Sequence, residues 1–390
     1  MRNIPIAKVT FTDDDKRNIL KPLESGWVVQ GPYVKEFEEK WSRFTGSNYS
    51  IAVSNCTNGL ILSLAALGVS AGDEVILPSF TWVATANAIE TVGATPVFCD
   101  ISLDDFNIDL NLIEDKISNR TKAIIPVHLF GSPVGMDELL NITNKHNLLV
   151  IEDAACGFSS VYKGIHVGNF GQTGCFSFHP RKALTTGEGG MVTTNNELLA
   201  NKLRSMRDHG ASVSDFQRHN SYKPFLLPEF PNMGYNFRMT DIQASIGSTQ
   251  MDRAAEIAQG RVNVAAKYDE AFKEIPWLRT PQTKTGNSHG YQAYVCLFEP
   301  DIIHAGNLEQ ISKMRNDFME YLYNSGISTR PGTHAVHNTI FYRDKYKIES
   351  EEYFNSLVAE KCSIALPLYN GMSDENLRYI FSTISSYRIN

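Results

Sequence analysis

Between about residues 50 and 195, short apolar runs alternate with stretches whose apolar side chains recur at helical spacing. Glu74-Val75-Ile76-Leu77, Ala123-Ile124-Ile125-Pro126-Val127 and Leu148-Leu149-Val150-Ile151 are rich in β-branched residues and do not alternate with polar ones. Continuous apolarity of this kind marks strands buried on both faces of a parallel sheet. The stretches between them, such as 58–67 and 136–146, read as helices, and the rhythm is that of βαβ units with right-handed crossovers. Near residue 240 the texture changes. Thr240-Asp241-Ile242-Gln243 fits a capping box and predicts a helix running to about Phe272. A strand at 294–298, a helix around 308–325 and a last helix after Ser373 follow. The expected fold class is α/β. A large domain over residues 1–250 carries a mostly parallel central sheet flanked by helices, and residues 251–390 form a smaller α+β C-terminal domain.

Composition changes this picture little. A chain of 390 residues with 42% hydrophobic and 20% charged content is an ordinary globular protein long enough for two packed domains. A net charge of −7 argues against a general nucleic-acid binder, which shows a basic face. It leaves room for a small anionic ligand, because binding a phosphate needs only local donors. The opening MRNIPIAKVTFTDDD has no apolar run of signal-peptide length, and no later segment is long enough to span a membrane. A cytoplasmic protein without membrane contact is expected. The six cysteines, at 56, 99, 156, 175, 296 and 362, show no C-x-x-C spacing, so neither disulfides nor a metal site is expected.

The chemistry collects where the strands end. Pro78-Ser79-Phe80-Thr81-Trp82, His128 and Glu152-Asp153 each follow an apolar run, and open parallel sheets bind ligands beyond the carboxyl ends of their strands. Taken singly, each residue has an ordinary explanation. Ser54 or Asn55 caps the helix that follows, Asp153 caps the next one, Trp82 packs, and His128 is a satisfied, half-buried histidine. Lys182, in Cys175-Phe176-Ser177-Phe178-His179-Pro180-Arg181-Lys182, is by itself a solvated loop charge. The set says more. A helix N-terminus at Cys56-Thr57 offers free N–H groups to a phosphate. An indole at position 82 can stack on a flat ring, and Asp153 can hold a heterocyclic nitrogen protonated. A partly desolvated Lys182 forms Schiff bases. Those are the needs of pyridoxal 5′-phosphate.

At this point the chain resembles a known family. GDEVILPSFTWVATANAIETVGATPVFCDI, VIEDAACGF, SFHPRKALTTGEGGMV and GYNFRMTDIQASIG are similar to the DegT/DnrJ/EryC1/StrS nucleotide-sugar aminotransferases, which have the aspartate-aminotransferase fold (fold type I). The likeness runs from Ser25-Gly26-Trp27 to Ala365-Leu366-Pro367-Leu368. It implies that Lys182 forms the Schiff base with pyridoxal 5′-phosphate (pyridoxamine phosphate in the other half of the cycle). By the same likeness Asp153 pairs with the pyridine nitrogen and Trp82 stacks on the ring. Cys56, Thr57 and Ser177 hold the phosphate, and Asn236 reaches the phosphate of the neighbouring subunit, so a homodimer with shared sites is implied. Trp27, Arg238, Tyr291, Arg330 and His334 are the implied substrate-side residues. The sequence departs from the family twice. Cys56 stands where glycine usually precedes the phosphate-binding threonine. Cys156 stands where glutamine or histidine often lies near the cofactor's phenolic oxygen, and so weak a hydrogen-bonder is not expected to make direct contact there.

The implied reaction passes an amino group from L-glutamate to a nucleotide-linked keto-6-deoxy sugar, at C4 rather than C3, making an amino sugar for a surface polysaccharide. The texture of TRPGTHAVH and SHGYQAYVCLF carries that preference. A C3-specific enzyme and a non-catalytic regulatory protein on the same fold are the alternatives. Lys182 argues against the related dehydratases, which carry histidine there. The absence of an early G-x-G-x-x-G argues against a nicotinamide enzyme.

Overall fold

Seven strands form the central sheet: β1 (Tyr49–Val53), β2 (Glu74–Pro78), β3 (Thr95–Cys99), β4 (Thr121–Ile124), β5 (Leu149–Asp153), β6 (Thr173–Ser177) and β7 (Gly190–Thr194). The computed structural model describes residues 2–220, 225 and 227–389. The order across the sheet is β1-β7-β6-β5-β4-β2-β3. All neighbours from β6 to β3 are parallel, and β7 alone runs against its two neighbours. Every residue of β2 and β7 is buried, as continuous apolar runs between two layers of helices require.

Helices cross between the strands as the apolar pattern predicts. The helix α1 (Pro32–Thr45) packs outside β1, and α2 (Cys56–Ala66) follows β1 directly. The next, α3 (Ala84–Thr91), follows β2, while α4 (Met136–His146) links β4 to β5. The helix α2 starts two residues before the expected position because Asn55 caps it, its side chain accepting from Asn58 N at 2.8 Å. Strand β4 is shorter than its apolar run. Pro126 has no N–H to donate, so the regular ladder stops at Ile124 and resumes only as a bridge between Val127 and Asp153.

The capping box forms at Thr240 and Gln243 and opens α5 (Asp241–Met251). The long helix expected beyond it is broken. Asp252 and Arg253 turn back to Thr249 and Gln250, and α6 (Ala254–Phe272) starts afresh. Arg253 holds the break by donating to both oxygens of buried Asp15, at 2.9 and 2.6 Å. The last part of the chain builds a three-stranded antiparallel sheet from β8 (Leu278–Arg279), β9 (Tyr294–Phe298) and β10 (Ser363–Leu366). Against it lie α7 (Leu308–Asn324), α8 (Phe354–Cys362) and α9 (Asp374–Ser386). One hydrophobic core joins this sheet to Tyr268, Phe318, Ile380 and Ile4. Ile4 arrives there from the N-terminus, pairing with Ile327. No described helix is long and apolar enough to cross a membrane.

Candidate active site

The carboxyl ends of β1, β2, β5 and β6 and the start of β7 meet at one edge of the sheet. Asp153 ends β5 with a side chain that burial leaves 5% exposed. Its Oδ2 accepts from Thr85 Oγ1 at 2.8 Å, and its Oδ1 from Ala155 N at 3.1 Å. Desolvation raises its pKa, against the pull of Thr85, Ala155 N, Lys182 and His128. One hydrogen bond on each oxygen fixes the carboxylate's direction.

Lys182 stands in the loop between β6 and β7. Its backbone N–H donates to His179 O at 2.8 Å, and its Nζ donates to Cys156 Sγ at 3.2 Å. Burial alone would lower the amine's pKa, but Cys156 first, then Cys56 and Asp153, outweigh it and hold the pKa above the ordinary lysine value. Cys156, expected to make no direct contact with the cofactor, is thus the hydrogen-bond partner of the lysine itself. Ser177, at the end of β6, accepts weakly from His179 N at 3.4 Å.

Cys56 and Thr57 are the first two residues of α2. Their N–H groups have no acceptor among the described residues, as the geometry of a helix start dictates. Gly190 opens β7 against them. A Cβ there would lie 2.6 Å from the Asn55 carbonyl carbon and 2.7 Å from Cys56 N. In the same loop Gly187 has φ +85°, the left-handed region that glycine tolerates. The run Gly187-Glu188-Gly189-Gly190 therefore folds the chain back and brings the side-chain-free Gly190 up to the helix N-terminus. Burial pushes the Cys56 thiol well above the usual thiol range.

Trp82 is 58% exposed and lies against His334, ring centroids 5.7 Å apart. Arg330 shares a cleft with both. His334 Nδ1 is 3.7 Å from Glu360. Arg238 is paired with Asp208 at 2.5 Å. Tyr291 is buried, its ring stacked 4.1 Å from that of His289. Asn236 is exposed, on the strand-like segment that bridges to Asp208. Trp27 packs on Phe216 and His219, at 5.3 and 5.1 Å, and makes no aromatic contact with Trp82. The described contacts gather Asp153, Lys182 and Cys56 closely; the backbone of Arg238 bridges to Val53 at the end of β1, while Trp27 and Asn236 make their described contacts with other elements.

His128 is wholly rather than half buried. It bonds Glu152 at 2.9 Å and accepts from Val134 N at 3.1 Å. Burial would raise Glu152, but His128 and the N–H groups of Gly171 and Gly168 reverse this and hold it below the usual carboxylate range. The pair braces β5 from beneath and has no access to a ligand. Sequence reading missed Thr85, which orients Asp153, and Gln292 and Arg181, which line the cleft beside Trp82. The position of Thr85 one turn after Trp82 was the only hint of the first.

Free N–H groups at a helix start packed against Gly190, a buried acid at a strand end and an enclosed amine match a phosphate, a protonated ring nitrogen and an aldehyde. The donor set therefore fits pyridoxal phosphate. Residues 10–385 match the family model described as the DegT/DnrJ/EryC1/StrS aminotransferase family. The chain is 34% identical over 381 residues to the spore coat polysaccharide biosynthesis protein SpsC of Bacillus subtilis, which spans 98% of this chain and 96% of that one. It is also 34% identical over 391 residues to the GDP-perosamine synthase of Escherichia coli O157:H7, spanning 99% of each. Among solved structures, Helicobacter pylori PseC, an aminotransferase involved in the biosynthesis of pseudoaminic acid, superposes with a TM-score of 0.87 over 98% of both chains at 27% identity.

Proposed function

The chain belongs to the DegT/DnrJ/EryC1/StrS aminotransferase family, whose members work with pyridoxal phosphate, and we propose that this sugar aminotransferase carries an amino group from L-glutamate to the ketone of a nucleotide-linked keto-6-deoxy sugar, C4 before C3. The observation that carries the reading is that Asp153, Lys182 and Cys56, the first residue of α2, lie close enough to perturb one another's charge. Glutamate as donor, the nucleotide, the carbon aminated and use of the product in a surface polysaccharide belong to the proposal.

Bound pyridoxal phosphate supplies an electron-withdrawing ring and an aldehyde carbon that can carry an amino group from one substrate to the next. The rest is work for this chain's own residues. The N–H groups of Cys56 and Thr57, with Ser177, would hold the phosphate at the positive end of α2. Asp153, kept in line by Thr85, would hold the ring nitrogen protonated, because a buried carboxylate needs a cation close by. Trp82 would wall the ring. Lys182 Nζ takes the proton from Cα of the amino donor and, in the second half, gives one to the sugar carbon that receives nitrogen. Cys156 Sγ positions that amine between its two tasks. Asn236 acts at the phosphate of the neighbouring subunit in a homodimer, and Trp27 and Arg238 serve the substrate of the shared site. Tyr291 backs the substrate cleft, and Arg330 and His334 line it. The division into residues 1–250 and 251–390 is part of this reading.

The test is direct. Purified protein is incubated with L-glutamate and a panel of dTDP-, UDP- and GDP-linked keto sugars, and products are identified by mass and NMR. An amino sugar from one of them, with 2-oxoglutarate in equal amount, is expected. No amino sugar at either carbon would reject the reading.

A further inference from the structure

Several arginines of this fold are ion-paired, while the buried Arg261 and Arg315 donate to backbone carbonyls instead. Arg207 meets Glu38, Arg238 meets Asp208 and Arg253 meets Asp15. Two others, Arg181 and Arg330, both line one cleft of about 360 Å³. Arg181 comes from the lysine loop and Arg330 from the segment beside β10. Trp82, Gln292, Thr333 and His334 complete the walls, and no acidic residue lines them. Arg330's guanidinium bonds only the carbonyl of Thr329, at 2.7 Å. Arg181 has partners for its backbone alone, and neither arginine is within ion-pairing distance of a carboxylate among the described residues.

The backbones behind these guanidiniums are held firmly. Arg330 exchanges two hydrogen bonds with Ala365, at 3.3 and 2.7 Å. The Arg181 carbonyl accepts from Gln292 Nε2 at 3.2 Å. The buried guanidinium of Arg261 in turn fixes the main chain at Gln292 by donating to the carbonyls of Tyr291 and Gln292, at 2.7 and 2.6 Å. Two fork-shaped donors on fixed supports, facing one solvent-filled cleft beside Trp82, suit a planar or tetrahedral oxyanion. The chain's net charge is −7, so the attraction here is local.

We infer that Arg181 and Arg330 form an oxyanion subsite that grips the charged end of a substrate while its reacting carbon lies at Lys182. This rests on the aminotransferase reading of the same site. The oxyanion is delivered by the distal carboxylate of a dicarboxylic amino donor or by the diphosphate of the sugar nucleotide. Arg181, next to the catalytic lysine in sequence, is the specificity residue that sequence reading passed over.

Calorimetric titration of the holoenzyme tests it, with glutarate and inorganic pyrophosphate as separate probes. Wild type should bind at least one of them. R181Q and R330Q should each weaken that probe about 10- to 100-fold, the loss of a charge-assisted hydrogen-bonding pair. R181K should recover only part, since it keeps the charge and loses the fork. Loss of glutarate assigns the subsite to the donor, loss of pyrophosphate assigns it to the sugar nucleotide, and loss of both assigns it to each in turn. Both side chains are exposed, and unchanged melting temperatures will show that the variants fold. No binding by wild type, or equal binding by the variants, overturns the subsite. A parallel half-reaction with a panel of amino donors keeps the two readings apart. Turnover there with unaltered probe binding removes only the subsite, and no turnover with any donor removes the function.

Discussion

Lys182 donates to a sulfur at 3.2 Å, and that contact has a measurable effect. An amine attacks a carbonyl only when neutral, and Cys156 is the first of the groups that raise Lys182's pKa against the lowering effect of burial. The sign follows from this. Below the ordinary lysine range the wild-type amine is mostly protonated, and removing Cys156 lets desolvation pull the pKa down. At a fixed pH in that range C156A should therefore take up pyridoxal phosphate faster than wild type, and its rate should level off at lower pH. Stopped-flow absorbance across a pH series reads this, and equal profiles would remove Cys156 from the account. At this scale the sequence exposed the chemistry but not the contacts. Asp153 and Lys182 could be named from their places after strands. The pairing of Lys182 with Cys156 joins residues 26 apart in the chain, and no local pattern announces it.

At the scale of elements, the meeting of β7 with the start of α2 is the feature most open to test. Gly190 is glycine because the backbone of Asn55 and Cys56 occupies the space a methyl group would need. Backbone cannot move aside as a flexible side chain can, so G190A should cost about 1–3 kcal/mol by overpacking. It should also cost more in cofactor affinity than in folding, because the displaced element carries the phosphate donors. Thermal melts with and without pyridoxal phosphate separate the two effects. A variant that melts lower but gains as much from cofactor as wild type would show the contact to be structural only. Strands β2 and β5, helix α4 and the Thr240 cap were legible in the sequence, because burial on both faces and capping chemistry act locally. The break between α5 and α6 was not, since the ion pair of Arg253 with Asp15 crosses 238 residues. The apolar run at β4 misled for a simpler reason, as its proline satisfies hydrophobicity but cannot donate a ladder bond.

At the scale of the whole molecule, the proposal has each site completed by a second copy of the chain. Asn236 is exposed and lies on a segment apart from Lys182, and Val29, Phe230 and Met233 are 44%, 61% and 70% exposed. A second copy that brings Asn236 to the other's phosphate would cover such residues. K182A and N236A homodimers should each be poorly active. Mixing them after reversible dissociation should restore about a quarter of wild-type activity, since half the dimers are mixed and each holds one intact site. No recovery on mixing would place both residues in the same chain's site. The fold class was legible at this scale from the alternation of strand and helix. The return of Ile4 to the far end of the chain was not, because a short N-terminal stretch has no period to read.

One experiment bears on the central claim more directly than any other. The holoenzyme is reduced with borohydride, digested and mapped by peptide mass spectrometry. A single phosphopyridoxyl adduct on Lys182, absent from K182A and retained more weakly through dialysis before reduction in D153N, is the predicted result. An adduct on another lysine, or none at all, would contradict it.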